Sequence, residues 1–200
     1  MQPPSRRGVP ATWWVWALAA TPGVWLWYAG FTDQLGANPA EALIRGLGEW
    51  ALRFLCLTLA VTPLRQGLGW SWLARYRRGL GLWTWGYAAQ HFIAYLWLDM
   101  EGSWLQVWAD TLQRPFILMG MVGLLLLSVL GATSFARVVR WLGAVRWRRL
   151  HLAVHLVAAA ALLHFYWMRS GKNDFADVWL YGTVIVLLWA WRVGHAWWRR

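Results

Sequence analysis

Apolar positions fall into six long runs separated by short polar connections, at roughly 12–29, 44–63, 80–98, 115–134, 150–168 and 178–196. Each run has about the length that an α-helix needs to cross some 30 Å of hydrocarbon. The pattern predicts an all-α, polytopic membrane protein: a bundle of six transmembrane helices forming a single domain over residues 1–200. "TPG" at 21–23 is expected to kink the first helix, and Pro63 to close the second. The first run follows a charged start and contains "ALAATPG", features shared with signal peptides. It continues through "VWLWYAG", however, and five more runs follow, so it reads as the first span.

The polar connections are strongly asymmetric. Arg6 and Arg7, then Arg65, Arg75, Arg77 and Arg78, then Arg137, Arg140, Arg146, Arg148 and Arg149, then Arg192, Arg199 and Arg200 occupy alternate ends of the runs. They make up fourteen of the nineteen basic residues, with no acid among them. The opposite connections hold Arg114, Arg169 and Lys172 against Asp33, Glu41, Asp99, Glu101, Asp110, Asp174 and Asp177. Short loops are where the positive-inside rule works best, so both termini are expected on the cytoplasmic side.

Composition agrees with this reading. The chain is 60% hydrophobic and only 14% charged, where a soluble domain carries about a quarter charged residues. A net charge of +11 would suggest nucleic acid in a soluble protein; here the arginines face anionic lipid and cytosolic partners instead. Many of the 21 tryptophans sit near the ends of the runs, as interfacial anchors do. A single cysteine, Cys56, excludes an internal disulfide and a cysteine-only metal cage.

Against this background the histidines stand out. "LHLAVHLVAAAALLHFYW", residues 150–167, carries His151, His155 and His164 without an acidic residue. An imidazole inside a membrane is costly, usually faces the bundle interior and carries function. At about 1.5 Å per residue, His164 lies roughly 20 Å beyond Leu150, and His91 on the third run roughly 16 Å beyond Leu80. Both runs point outward, so the two imidazoles share a depth and can ligate one haem iron from opposite faces. Zinc and di-iron carboxylate sites would want acidic ligands, which the spans nearly lack. His151 sits at the cytoplasmic end, open to a second haem, a headgroup, a propionate or a flavin. His155, one turn on, reads as a core histidine, and His195 beside "WWRR" as an interfacial one.

Arg53 lies well inside the membrane by its distance from Pro63. Its forked guanidinium suits a haem propionate; snorkelling, or pairing with Glu49 one turn away, is the competing reading. Arg75, Arg77 and Arg78 mark topology and also suit an inner propionate or a flavin phosphate.

Four stretches carry a resemblance: "ALRFLCLTLAVTPLR" at 51–65, "RRGLGLWTWGYAAQHFIAY" at 77–95, "RPFILMG" at 114–120 and "WRRLHLAVHLVAAAALLHFYW" at 147–167. In order and spacing, from about residue 25 to about 190, the chain resembles the MsrQ family. These are haem-binding subunits of bacterial protein-methionine-sulfoxide reductase systems, within the ferric-reductase-like transmembrane group. The resemblance implies haem b and FMN in a bacterial inner-membrane protein. It also implies electrons passed outward to a periplasmic molybdopterin-containing reductase subunit that repairs oxidised periplasmic proteins. The family's histidines map onto His91, His151 and His164, and the position of Arg53 is usually basic. The place of His155 usually holds an aromatic residue, and that of Gln90 a leucine.

The sequence therefore yields these expectations. His91 and His164 are axial ligands of an outer haem, and Arg53 holds a propionate. His151, with Arg77 and Arg78, forms an inner site for a second haem or FMN. The donor is a cytoplasmic flavin reductase or quinol, the chain itself performs no substrate chemistry, and nucleic acid is not a partner. A proton-coupled transporter using the intramembrane histidines is the alternative; it predicts a colourless protein.

Overall fold

The computed structural model describes residues 12–171 and 173–198, and among these it contains eight α-helices and no strand. Arg6, Arg7, Lys172, Arg199 and Arg200 of the charge count lie outside the described residues. In order, the helices are α1 (Thr12–Phe31), α2 (Pro39–Gly67), α3 (Arg77–Ala94), α4 (Trp104–Gln113), α5 (Pro115–Ala132), α6 (Ala136–His151), α7 (Val154–Ser170) and α8 (Ala176–Trp198). A π turn at Tyr95–Asp99 extends α3, and a short 3₁₀ segment at Ser71–Arg75 precedes it.

Six of these helices match the apolar runs; α4 and α6 exceed the expected number, for two different reasons. α6 crosses the basic connection and buries no side chain. Its five arginines give it no apolar stripe to read, and Gly143, at φ 73°, breaks its helical backbone in the middle. α4 is short and amphipathic: Val107, Asp110 and Thr111 face the bundle, while Trp104, Leu105, Trp108 and Leu112 point away from it. Ten residues are too few to register as a span.

Four helical stretches are long and apolar enough to cross a membrane: Pro39–Gly67, Pro115–Ala132, Ala136–Ser170 and Ala176–Trp198. α1 and α3 fall outside that set. Trp13, Trp14, Trp16, Trp25 and Trp27 dilute the hydropathy of α1; Arg77, Arg78, Gln90 and His91 do so in α3.

Prolines shape both early helices. α2 does not close at Pro63, as expected, but continues to Gly67. Pro63 has no N–H to give the Leu59 carbonyl, and the Arg192 guanidinium from α8 donates to that oxygen at 2.8 Å instead. In α1 the expected kink takes the form of an inserted side chain. The fully buried Tyr87 hydroxyl donates to Ala19 O at 2.7 Å and accepts from Gly23 N at 2.8 Å. It thus replaces the helical bond between those two groups, one of the recognised causes of helix bending. Gly23 has no Cβ to obstruct it: one built there would lie 3.2 Å from the Tyr87 ring.

α2 packs most extensively on α3, and α5 on α7. One apolar cluster joins Leu52, Leu55 and Leu59 of α2 to Leu127, Val157, Phe165 and Ile185; another joins Ala19, Leu43, Leu47, Phe54 and Tyr87. The two tight helix pairs face one another across the space that holds the site.

Candidate functional site

A cavity of about 380 Å³ opens between α2, α3, α5 and α7, lined largely by apolar side chains such as Leu52, Ala88, Leu124 and Ala161. His91 of α3 and His164 of α7 enter it from opposite sides, with ring centres 6.0 Å apart and planes at 83°. The expected shared depth is thus met by two rings that face one another. His91 Nδ1 lies 2.8 Å from Ile44 O of α2, and His164 Nδ1 lies 2.6 Å from Phe116 O of α5. A carbonyl only accepts, so each Nδ1 carries the proton and each Nε2 keeps its lone pair. Neither Nε2 makes a hydrogen bond among the described residues. This is the tautomer that metal-bound histidine adopts.

Charged groups gather above the imidazoles. Glu49 lines the cavity. One of its oxygens accepts from Arg53 at 3.1 Å, and the other lies 3.5 Å from Arg169 of α7. Arg169, only 8% exposed, also binds Asp174 at 2.7 Å and Asp177 at 3.1 Å. Arg53 donates to the Tyr181 hydroxyl at 3.0 Å and lies over the Trp50 ring, and it is not among the residues lining the cavity. Arg45 and Arg114 are, each paired with an acid on its own helix or the one before: Glu41 at 2.6 Å and Asp110 at 2.9 Å. Asp110 also accepts from the Tyr95 hydroxyl at 2.6 Å, which ties α4 to the end of α3. Asp99 stands at the same mouth, and burial, then the Glu41 carboxylate, raises its carboxyl above the usual range.

The remaining histidines lie elsewhere. His151, at the end of α6, does not line this cavity. Its Nδ1 donates to Trp147 O at 3.1 Å. Its Nε2 is 3.4 Å from Ser134 Oγ, whose own proton is given to Leu130 O at 2.7 Å. Its Nδ1 thus faces a backbone carbonyl, as those of His91 and His164 do. His155 is the opposite: Trp189 Nε1 donates to its Nδ1 at 3.0 Å, so the proton sits on Nε2. His195 stacks on Trp191 with ring centres 4.6 Å apart. Arg77 acts electrostatically on His151, His155 and Arg192, and neither Arg77 nor Arg78 has an acidic partner among the described residues.

Sequence reasoning missed Arg45, Arg114 and the two cavity glycines, Gly48 and Gly120. The signal available was that Arg114 and Gly120 both fall in the "RPFILMG" stretch, and that Gly48 lies four residues from Ile44.

Comparison with known proteins places the chain in a family. Residues 47–163 match the family model described as "Ferric reductase like transmembrane component". A relative from Polaromonas naphthalenivorans is 47% identical over 92% of this chain and 84% of its own length. One from Herminiimonas arsenicoxydans is 45% identical over 84% and 78%, and one from Ralstonia nicotianae 42% identical over 98% and 90%. All three are named as the heme-binding subunit MsrQ of protein-methionine-sulfoxide reductase. No solved structure matches the chain. With more than half of its length matched by the family model and relatives of this identity spanning most of it, the chain belongs to the ferric-reductase-like transmembrane family and, within it, to the MsrQ group.

Proposed function

We propose that the chain is the electron-transfer subunit of a protein-methionine-sulfoxide reductase system, holding haem b between His91 and His164. It would form one domain of six spans, α1, α2, α3, α5, α7 and α8, in a bacterial inner membrane, with both termini cytoplasmic. The observation that carries this reading is the pair of facing imidazoles, 6.0 Å apart, with both Nδ1 protons committed to carbonyls.

The residues present fit the group. Metal–imidazole bonds of about 2.0 Å on both sides of one ion place the ring centres about 6 Å apart. No cluster of three or more His, Cys, Asp or Glu side chains suited to a metal ion exists among the described residues. Two imidazoles alone are a poor set for a bare ion; they suit a metal whose other ligands come from a porphyrin. The apolar walls suit its faces, and Arg45 and Arg114 at the mouth suit its carboxylates. Arg53 would act one step removed, holding Glu49 against the wall.

Haem b, when bound, supplies one-electron chemistry at a potential set by its axial ligands, burial and hydrogen bonds. The chain supplies the rest. His91 and His164 would hold the iron; the carbonyls of Ile44 and Phe116 hold the imidazoles; α2, α3, α5 and α7 wall the cavity. On the inner side, His151 offers a lone pair, and Arg77 and Arg78 offer unpaired positive charge, for FMN or a second haem. Electrons would enter there from a cytoplasmic flavin reductase or quinol. They would leave at the acidic outer face to a periplasmic molybdopterin-containing subunit that reduces methionine sulfoxide in oxidised proteins.

Proteoliposomes test the route. Reduced FMN supplied on the arginine-rich side should reduce the haem. Methionine sulfoxide on the other side should reoxidise it only when the catalytic subunit is present. Reoxidation without that subunit, or none with it, would contradict the proposal.

A further inference from the structure

The two imidazoles are seated by the same device on two different helices. His91 reaches the carbonyl of Ile44, and four residues on in α2 stands Gly48. His164 reaches the carbonyl of Phe116, and four residues on in α5 stands Gly120. In an α-helix the side chain at position i+4 leans toward the N-terminus and covers the carbonyl of residue i. With any side chain there, a ring from a neighbouring helix would meet that side chain before the oxygen. A Cβ built on Gly48 would lie 3.0 Å from His91 Nδ1, and one on Gly120 would lie 2.9 Å from His164 Nδ1.

We infer that Gly48 and Gly120 are positioning residues: each unmasks the backbone carbonyl that fixes the tautomer and orientation of one imidazole. This rests on the reading of His91 and His164 as haem ligands, and adds to it the groups that aim them. Close approach alone does not mark them, since a Cβ built on Gly46 would lie 2.8 Å from Leu26 and one on Gly23 3.2 Å from Tyr87; among the described helical glycines, Gly48 and Gly120 are the two that would meet a histidine nitrogen. Gly86 of α3 and Gly182 of α8 have nothing within 4 Å of a built Cβ, and Gly123, three residues beyond Gly120, meets only Ala160 at 3.9 Å. With alanine at either seat, the ring must give way, which stretches or breaks the bond from its Nδ1–H to the carbonyl. Such a ring rotates more freely and is a weaker electron donor to a metal, because the hydrogen bond at Nδ1 raises ligand basicity.

The test uses the full chain in detergent as Gly48→Ala, Gly120→Ala and the control Gly182→Ala. Its readouts are haem titration into apoprotein, the midpoint potential and the ferric low-spin EPR spectrum. Both seat variants should bind haem on the order of 10–100-fold more weakly, the range for lost outer-shell partners of metal-bound histidine. Their midpoint should move positive, and the EPR anisotropy expected of rings at 83° should change. Gly182→Ala should match the wild type. The shorter contact and hydrogen bond at Gly120 make its effect the larger of the two. Wild-type affinity, potential and spectrum in both seat variants would overturn the inference.

A second measurement covers variants that do not fold. In the wild-type protein, pulsed EPR should find at Nδ1 of both axial rings the lowered ¹⁴N quadrupole coupling of a hydrogen-bonded N–H; the coupling of a free N–H at either ring overturns the inference. Failure of the underlying haem reading is distinct: it would show as full haem retention when His91 or His164 is itself replaced.

Discussion

Trp189 donates its indole N–H to Nδ1 of His155 over 3.0 Å, which leaves the imidazole proton on Nε2 and no lone pair to offer a metal. His151, four residues earlier, instead has its Nδ1 against the Trp147 carbonyl at 3.1 Å, with Ser134 Oγ 3.4 Å from its Nε2. One hydrogen bond thus separates two histidines that sequence spacing alone leaves equivalent. His155→Phe is expected to keep wild-type haem and flavin content. His151→Ala is expected to lose the inner cofactor while keeping the outer haem. Cofactor quantified per chain in the two variants checks this, and the reverse pattern would reassign the inner ligand.

Tyr87 closes the gap that its own insertion makes in α1. Tyr87→Phe leaves Ala19 O and Gly23 N without their bridge in a fully buried position. An unsatisfied buried polar group costs about 1–3 kcal/mol. A lower Tm in detergent, with an unchanged visible spectrum in the folded protein, is the expected result; an unchanged Tm would mean that α1 recovers its own ladder.

Arg192 and Pro63 should be coupled. Arg192→Ala strips the Leu59 carbonyl of its side-chain donor and is expected to cost about 1–3 kcal/mol. In a Pro63→Ala background the restored backbone N–H can serve that carbonyl, so the same change should cost clearly less. A double-mutant cycle on thermal unfolding measures the difference, and strict additivity would show that the proline is not why Arg192 is needed.

The arginines at the cavity mouth should matter to cofactor retention more than Arg53, which pairs with Glu49 outside it. Arg45→Gln and Arg114→Gln are each expected to weaken haem binding by up to about fivefold, since exposed charge pairs contribute roughly 1 kcal/mol or less. Arg53→Gln, which frees Glu49 and Tyr181 without touching the cavity directly, is expected to lower stability more than haem affinity. Haem dissociation followed alongside thermal unfolding separates the two effects.

Much of the architecture could be read from the chain because the bilayer leaves few options: apolar runs of about twenty residues must be helices. Helical rise alone placed His91 and His164 at one depth, and their rings do meet. α6 escaped notice because a helix rich in arginine on all sides has no apolar stripe. Pro63 misled because Arg192, which donates to the Leu59 carbonyl in place of the missing N–H, lies 133 residues from Leu59. Arg53 illustrates a general limit. A long charged side chain takes its partners from tertiary packing, and Glu49, Tyr181 and Trp50 engage it outside the cavity while Arg45 and Arg114 take the mouth. The glycine seats were hidden for the same reason: a residue without a side chain gains meaning only from what approaches it.

The account turns on whether the facing imidazoles hold an iron porphyrin, and a reduced-minus-oxidised visible spectrum reads this most directly. The purified wild type, expressed with ample haem supply, is compared with His91→Ala and His164→Ala. The account predicts a six-coordinate low-spin b-type spectrum in the wild type and loss of the outer haem from both variants. A colourless wild type, or undiminished haem in both variants, would contradict it.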